Sequence, residues 1–391
     1  MQIPERYQVN TSSFSFYWTK GPGVELLHKL QEKPLLSDAD QFIPLLYQHD
    51  SCCDMLVEQL HLKIGFSKGQ QLLKDALKGK SIEAAYEPLL TNFINSLDLA
   101  PSWLDWTKIE EGIGLSQRSG LSGLIVLRDY VLMGGYESSA INKPLIFTGA
   151  LKKGAVKRLT ETVTFWVDIT GNNALKKGNI GIEAILMTRC IHSYARLNII
   201  KHGYWQVEKW GIPLNTWDML ATNLGFSLVY LTGLKLMKFN VLENEIEGLF
   251  HLWKYIGTLL GIPLQLLPDS EEQAIKALYY WTMTQKEGDQ DSLALAQALM
   301  EEPVKAAYPT TKWKRKLMRE IHLYYNHYLL GSYSCSLLGL KKTMIGKIAY
   351  INILKNKRSN RIINDLLWRK QQINKGRTVH EGVKQIYLKY N

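Results

Sequence analysis

Helical periodicity runs along nearly the whole chain, and it constrains the fold more than any other feature. Apolar residues recur three or four positions apart in thirteen segments, whereas strict alternation over four or more residues, which marks a half-buried strand, is scarce. Glycine and proline separate the segments. The predicted helices span 22–32, 54–64, 69–78, 82–97, 118–133, 154–170, 180–199, 214–237, 241–260, 270–284, 290–300, 311–331 and 336–353. We therefore predict an all-α fold.

The predicted helices should pack into one body rather than a repeat array. No segment recurs at a fixed period of 30 to 50 residues, which counts against a helical solenoid. The expected architecture is a multi-helix packed domain in which a ligand pocket lies between helices, as it does in globins. We predict one all-α domain over residues 1–340, followed by a basic helical segment over residues 341–391.

Composition indicates a full core and a reducing compartment. Hydrophobic residues make up 46% of the 391 residues, and the four cysteines form no CxxC pair, which argues against a zinc site or a disulfide framework. The most apolar stretch, residues 217–236, contains Asp218, Asn223 and Lys235, so we interpret it as a core helix rather than a membrane span. The first ten residues lack an apolar run. We expect no signal peptide, no transmembrane segment and a cytoplasmic location.

Positive charge is concentrated at the C-terminal end. Residues 341–391 contain 13 lysines and arginines but two acids, a surplus of 11 that equals the net charge of the chain. Such a segment can be a solubilising surface helix, or it can contact nucleic acid or anionic lipid. Apolar residues such as Ile348, Ile351 and Leu354 are interleaved with the basic ones, which indicates helices packed on the body rather than a free arm. If the segment has a partner, we expect weak contact with an anionic surface.

A cluster of polar side chains is predicted on the helix that contains "RLTETVTFWV", residues 158–167. At 3.6 residues per turn the helix has two stripes with apolar residues, one of which mixes Arg158 and Thr162 with Phe165. A helix with apolar residues on two faces is mostly buried. Arg158 and Thr162, one turn apart, should therefore point together into the protein, with Glu161 close by.

A second polar group is predicted inside the apolar helix "ILMTRCIHSYARLNI", residues 185–199. No HxxxH or HExxH pair occurs among the nine histidines, so a metal site built from one helix is weakly supported. His192 has Arg189 three residues before it and Arg196 four after it, which places all three on one face. Two cations would lower the imidazole pKa and need anions of their own. The group is either a core salt-bridge network, or an iron ligand of haem whose propionates accept the arginines.

The order and spacing of these two segments resemble a known family. "RLTETVTFW" followed by "RCIHSYAR", with His192 30 residues after Thr162, is similar to the latex-clearing proteins, the bacterial rubber oxygenases, and to the wider MpaB-type oxygenases. The segment "HLWKYIGTLLGIP", residues 251–263, also resembles a family signature. The resemblance covers residues 118–270, and the rest of the chain matches only in helical character.

The resemblance implies a b-type haem, whose iron is the metal, and an oxygenase reaction. Arg158 and Thr162 match an arginine and a threonine that line the distal side of the haem in that family. His192 matches the proximal iron ligand. Arg189 and Arg196 match the arginines on either side of that ligand. The expected fold is therefore a helical domain with a haem pocket between helices.

Three further positions follow from the same resemblance. Thr222, in "WDMLATNLGFSL", fits another family threonine near the cofactor. Just before the distal threonine the rubber oxygenases have a lysine that can occupy the sixth iron position, whereas this chain has Glu161. Glu161 is then a weak sixth ligand, a general base or the salt partner of Arg158. The nearest candidate for the family's glutamate base is Glu137, which can equally cap a helix.

The resulting hypothesis is a haem-dependent oxygenase that acts with O₂ on a hydrophobic, unsaturated small molecule or polymer. Under it, Thr162 donates a hydrogen bond to bound oxygen and Arg158 stabilises developing negative charge. Five apolar residues either form the pocket wall or pack in the core: Leu159, Phe165, Trp166, Phe226 and Tyr230. Two other classes stay open, a haem sensor without turnover and a cofactor-free interaction protein whose basic tail binds nucleic acid.

Overall fold

The computed structural model describes residues 2–9, 12–149, 154–359 and 362–390, and every structural statement here concerns those residues. This part of the chain is mainly helical and contains no strand, which confirms the predicted all-α class. Backbone pairing between extended residues occurs in it at two isolated bridges, Tyr7 with Gln285 and Ser138 with Glu287. Positions 1, 10, 11, 150–153, 360, 361 and 391 lie outside the described residues.

The helices are numbered here in chain order. Before residue 150 they are α1 (Ser12–Thr19), α2 (Gly23–Leu27), α3 (Ser51–Leu56), α4 (Leu62–Ile64), α5 (Phe66–Leu77), α6 (Glu87–Asn95), α7 (Trp106–Arg118), α8 (Gly120–Val126), α9 (Met133–Gly135) and α10 (Ser139–Phe147). After it they are α11 (Ala155–Ile169), α12 (Ile180–Lys201), α13 (Val207–Trp210), α14 (Thr216–Leu224), α15 (Tyr230–Leu236), α16 (Glu243–Leu259), α17 (Glu271–Met283), α18 (Gln290–Lys305), α19 (Lys312–Leu337), α20 (Tyr350–Ser359) and α21 (Leu366–Tyr390). Three 3₁₀ helices span Leu36–Tyr47, Leu264–Leu266 and Ile345–Ala349, and three π-helical turns span Val57–His61, Leu127–Leu132 and Gly225–Val229.

The main core forms where α7 and α16 cross almost in backbone contact. A Cβ atom on Gly112 would collide with the carbonyl oxygen of Gly248, so glycine at both positions permits the close approach. At one end of the crossing, the buried Arg118 guanidinium donates to both carboxylate oxygens of Glu245, from Nε at 3.0 Å and from Nη2 at 2.7 Å. The crossing therefore positions α16 and the loop after it, residues 260–262, which borders the candidate site.

The most apolar segment forms one helical run through α14, a π-helical turn and α15. Trp217, Leu220 and Leu224 are almost fully buried, as expected for a core helix. Within the described residues, the run Thr216–Leu236 is long and apolar enough to cross a membrane. Of its most apolar 18 residues, however, 61% are buried against the rest of the protein. A π-helical turn inside a long helix often accompanies a functional site.

The basic segment packs on the body, as its interleaved apolar residues predicted. In α21, Gly376 lies against α7 so closely that a Cβ would collide with the Gln117 carbonyl oxygen, and His380 is fully buried. Ala349 and Ile353 belong to the same buried cluster as the core of the body. The predicted helix over 336–353 is wrong, because Gly339 adopts a left-handed φ of 66° and ends α19.

Candidate functional site

The helix that contains "RLTETVTFWV" is α11, and it packs against α12, which carries His192. Arg158 on α11 is half-buried, and its Nη1 donates a hydrogen bond to the Tyr136 hydroxyl oxygen at 2.6 Å. The guanidinium carbon also lies 5.3 Å from the centre of the Tyr136 ring, a distance at which cation–π attraction operates. Tyr136 is itself buried, so Arg158 is held by a rigid aromatic partner.

Glu161 does not lie beside Arg158 in the interior. Its side chain is exposed, so the expectation that Arg158, Glu161 and Thr162 are buried together is wrong. The reason is the orientation of α11, which packs inward through Leu159, Trp166 and Val167 and turns position 161 toward solvent. Thr162 is half-buried, and its hydroxyl donates to the Arg158 carbonyl oxygen at 3.0 Å, the usual bond of a threonine within a helix.

A narrow cleft, with a cavity volume of about 10 Å³ and open to solvent, brings His192 and its two arginines together, as the helical spacing predicted. Arg158 and Thr162, both in the described part of the chain, do not line it. The cleft lies between α12, the start of α14 and the loop after α16. Its lining residues are His49, Asp50, Arg189, His192, Arg196, Leu214, Thr216, Met219, Leu260, Gly261 and Ile262.

The His192 imidazole is neutral. Burial, and after it the positive charge of Arg196, lowers the pKa of His192 to about 4. Its Nδ1 is buried and has no hydrogen-bond partner among the described residues. An unpartnered buried nitrogen costs free energy, so a side chain in this state is suited to a partner that the protein itself does not provide.

The two arginines of the cleft are paired with aspartates from one short segment. Arg189 donates to Asp50 from Nε at 2.5 Å and from Nη2 at 2.8 Å. Arg196 is fully buried and donates to Asp54 from Nη2 at 2.5 Å and from Nε at 2.9 Å. The anions that the sequence argument required are therefore present in the protein, which favours the salt-bridge interpretation for these arginines.

The signature "HLWKYIGTLLGIP" contributes backbone rather than side-chain chemistry to the cleft. Gly261 has a left-handed φ of 87°, and a Cβ there would collide with a carboxylate oxygen of Asp50. The Leu259 carbonyl oxygen accepts a further bond from Arg189 at 3.2 Å. Glycine is thus required for the loop to close over the Asp50–Arg189 pair. Sequence reasoning noted the signature but missed Asp50 and Asp54, which lie more than 130 residues from their partners along the chain.

Thr222 is exposed although it lies in the middle of the most apolar helical run. It follows Met219, a cleft residue, by three positions, so both lie on one face of α14. The Thr222 hydroxyl donates to the Asp218 carbonyl oxygen at 2.9 Å. The face that carries Met219 and Thr222 is therefore open where a core helix would normally be covered.

Glu137, the candidate base upstream of Arg158, is buried next to Cys335 rather than in the cleft. Loss of solvation raises the pKa of Glu137 to about 8, although a hydrogen bond from Ser334 partly opposes the rise. At neutral pH the carboxyl is therefore mostly protonated, which does not suit a general base. The N-cap residue of α10 is its neighbour, Ser138.

The five apolar residues proposed for a pocket wall divide into two groups. Leu159, Trp166 and Tyr230 are buried in the core. Phe165 and Phe226 are half-buried, and Phe226 stacks on Trp253 with ring centres 4.7 Å apart. Within the described residues, no group of three or more His, Cys, Asp or Glu side chains could hold a metal ion.

The chain belongs to the family described as ER-bound oxygenase mpaB/B'/rubber oxygenase, catalytic domain, whose model matches residues 118–350. The match extends beyond the 118–270 expected from the motifs and includes Arg158, Thr162, His192 and Thr222. The chain is thus that of an oxygenase.

A solved structure similar to this chain is that of latex clearing protein LCP in its closed state. The two share 17% sequence identity with a TM-score of 0.61, over 88% of this chain and 91% of the other. At this identity the likeness shows the shared fold. A comparison with curated proteins gave no match.

The cleft fits an iron ligand of haem better than it fits haem carboxylates. His192 is neutral, which is the form that binds iron, and its buried Nδ1 has no hydrogen-bond partner in the described structure. Arg189 and Arg196 already bind Asp50 and Asp54, so propionates would have to compete with two aspartates. The histidine therefore supports the haem hypothesis, and the arginines alone do not.

Proposed function

We propose that the protein is a b-type haem-dependent oxygenase that acts with O₂ on a hydrophobic, unsaturated substrate. One observation carries the proposal. His192, on a helix inside the oxygenase family match, has a neutral imidazole with a buried nitrogen that no described residue satisfies. Neutral imidazole is the form that binds haem iron.

In this proposal His192 would hold the iron, and bound haem would supply the redox-active metal that O₂ chemistry requires. Arg189 and Arg196 would bind the carboxylates of the haem. They would do so either while still bound to Asp50 and Asp54 or in place of those two aspartates. Thr222 would lie near the cofactor, because its open face of α14 continues from the cleft residue Met219.

Arg158 and Thr162 would act on the distal side. The hydrogen bond that Arg158 donates to the Tyr136 hydroxyl fixes one end of the guanidinium, and a fixed positive charge stabilises negative charge that develops during reaction. The Thr162 hydroxyl now donates to a helix carbonyl, so it must rotate away from that carbonyl to donate to a ligand. Both roles depend on α11 facing the cofactor.

Glu161 has no catalytic role in this proposal. The structure places it in solvent, where it cannot be a buried salt partner of Arg158 or a base in an apolar pocket. The rubber oxygenases that resemble this chain have a lysine here that can occupy the sixth iron position. We propose that Glu161, being exposed, would not help to hold the haem iron, in contrast to that lysine.

The proposed substrate is an apolar alkene, either a small molecule or a polymer such as the rubber named in the family description. The half-buried rings of Phe165 and Phe226 offer apolar surface that such a substrate could cover. We propose a cytoplasmic location, which agrees with the free thiols of Cys52, Cys53, Cys190 and Cys335.

The proposal is tested by O₂ uptake. The purified, haem-loaded protein should consume O₂ with an apolar polyisoprene and release carbonyl products that mass spectrometry detects. Arg158→Leu should lower the rate by about 10²–10³-fold, the range for a lost transition-state donor. Arg319→Leu, which removes a half-buried arginine of α19, is the matched control and should leave the rate unchanged. Haem binding with no O₂ uptake on any alkene would instead identify a sensor.

A further inference from the structure

The chain exposes a row of large apolar side chains between the end of α19 and the first turn of α21. The 3₁₀ helix Ile345–Ala349 leads directly into α20, and many of the outward positions of both are apolar. A water-facing helix normally carries polar residues at such positions. Eight large apolar side chains in this part of the chain are 46% to 75% exposed: Met344, Ile345, Ile348, Ile351, Leu354, Ile362, Leu366 and Leu367.

The orientation of this segment is fixed by contacts on its other side. Ile353 is almost fully buried, and the Asn356 amide nitrogen donates to the Met237 carbonyl oxygen at 3.0 Å. The Tyr325 hydroxyl donates to the Ala349 carbonyl oxygen at 3.0 Å. The segment is therefore anchored through its own inward face, and rotating it to hide the outward apolar side chains would break these bonds.

Basic residues surround the exposed apolar side chains. Residues 341–364 contain seven lysines and arginines and no acid. Lys341, Lys342, Lys347, Lys357 and Arg358 are exposed in the structure. We call the outward side chains of residues 341–358 the basic apolar face. Contiguous exposed apolar surface marks an interaction site. Because the lysines and arginine of this face are all positive, the expected partner is anionic.

We propose that the basic apolar face binds the surface of an anionic lipid bilayer. A bilayer surface offers a partner for both kinds of side chain on this face. Its acyl chains can contact the isoleucines and leucines, and its negative headgroups can pair with the lysines. Single-stranded nucleic acid would favour aromatic side chains for base stacking, whereas the exposed apolar residues here are mainly aliphatic. A second copy of the chain would bring two positive faces together. The proposal rests on no part of the haem hypothesis.

The proposal is tested by co-sedimentation of the full chain with vesicles. The probe is phosphatidylcholine vesicles with about 30% phosphatidylserine, compared with pure phosphatidylcholine. The triple variant Ile348→Ser, Ile351→Ser, Leu354→Ser should bind on the order of a hundredfold more weakly. Its matched control is Ile3→Ser, Leu35→Ser, Met55→Ser, which alters equally exposed apolar residues elsewhere and should bind like the parent protein.

Charge is tested in the same way. Lys341→Glu, Lys342→Glu, Lys347→Glu should weaken binding by roughly a hundredfold, and salt should weaken the parent in the same direction. The control Lys33→Glu, Lys63→Glu, Lys201→Glu makes the same change in net charge at exposed lysines elsewhere and should retain binding. Circular dichroism and thermal melting establish that each variant is folded.

Three outcomes would overturn the proposal. The first is a folded parent protein that does not sediment with the phosphatidylserine vesicles. The second is binding of RNA or DNA that the lysine variants abolish and the apolar variants leave intact, without vesicle binding. The third is a dimer by light scattering that the apolar triple variant converts to monomer, again without vesicle binding. Vesicle binding lost in both triple variants and kept in both controls supports it.

Discussion

Asp54→Asn should destabilise the protein strongly, because it removes the anion from a fully buried arginine. Arg196 is 1% exposed and Asp54 is 7% exposed, and the carboxylate accepts bonds from Nη2 at 2.5 Å and from Nε at 2.9 Å. The remaining partners of Arg196 are the Leu214 carbonyl oxygen at 3.0 Å and the Ser193 hydroxyl at 3.1 Å, neither of which carries charge. Removing one member of a buried ion pair costs roughly 3–5 kcal/mol.

Urea unfolding followed by far-UV circular dichroism measures this loss. The matched control is Asp75→Asn, which removes a surface partner of Lys80 and should leave stability nearly unchanged. If haem carboxylates bind Arg196 as proposed, loading with haem should restore part of the stability that Asp54→Asn removes. A loss for Asp54→Asn no larger than that of the control would show that Arg196 is not buried against Asp54, and the description of the cleft would be wrong.

Three further predictions follow from buried groups outside this pair. Burial lowers the pKa of three histidines to about 4 and raises that of Glu137 to about 8. The histidines are His61, His192 and His380. Between about pH 4.5 and 6 the unfolded chain then binds about two more protons than the folded protein. Stability of the haem-free protein should therefore fall by roughly 2 kcal/mol per unit as the pH is lowered, and urea unfolding at two pH values in this range checks it; no change with pH would refute the burial. Tyr136→Phe should cost about 1.5–3 kcal/mol by removing the bond to Arg158, measured by the same unfolding, and an unchanged midpoint would show that the bond contributes nothing. Gly376→Ala should destabilise by about 1–3 kcal/mol and increase proteolysis of α21, because the new methyl group collides with Gln117; equal protease resistance would contradict the packing.

Much of the fold could be predicted because its signals are local. The helices predicted over 154–170, 180–199 and 214–237 agree with α11, α12 and the run Thr216–Leu236 to within two residues at each end. Apolar periodicity and flanking glycines set those limits. Helices α7 and α10 were not predicted, and α21 was predicted only as an unbounded part of the basic helical segment, since polar faces and internal glycine or proline residues weaken the same signal.

The site could be predicted only in part. The spacing of Arg189, His192 and Arg196 placed them correctly on one face of α12, because that relation lies within one helix. The pairing with Asp50 and Asp54 depends on packing between segments far apart in sequence, which no local pattern reveals. The exposure of Glu161 was missed for a related reason: the buried face of α11 is decided by its neighbours and not by its own residues.

The basic apolar face was also only partly predictable from the sequence. The sequence revealed that apolar and basic residues alternate after position 341, and it correctly indicated packing on the body. It did not show which apolar residues remain outside, because Ile353 and Ile351 are indistinguishable until the helix is docked. In the structure the first is buried and the second is 51% exposed.

The central claim is that His192 holds the iron of a b-type haem, and haem content tests it most directly. The protein is purified with haem supplied, and haem per chain is measured by the pyridine haemochrome spectrum. The parent protein and the control His202→Ala, which alters an exposed histidine just after α12, should each bind one haem. His192→Ala should lose it while circular dichroism shows an intact helical fold. A parent protein without haem, or a His192→Ala variant with full haem content and an unchanged spectrum, would contradict the account.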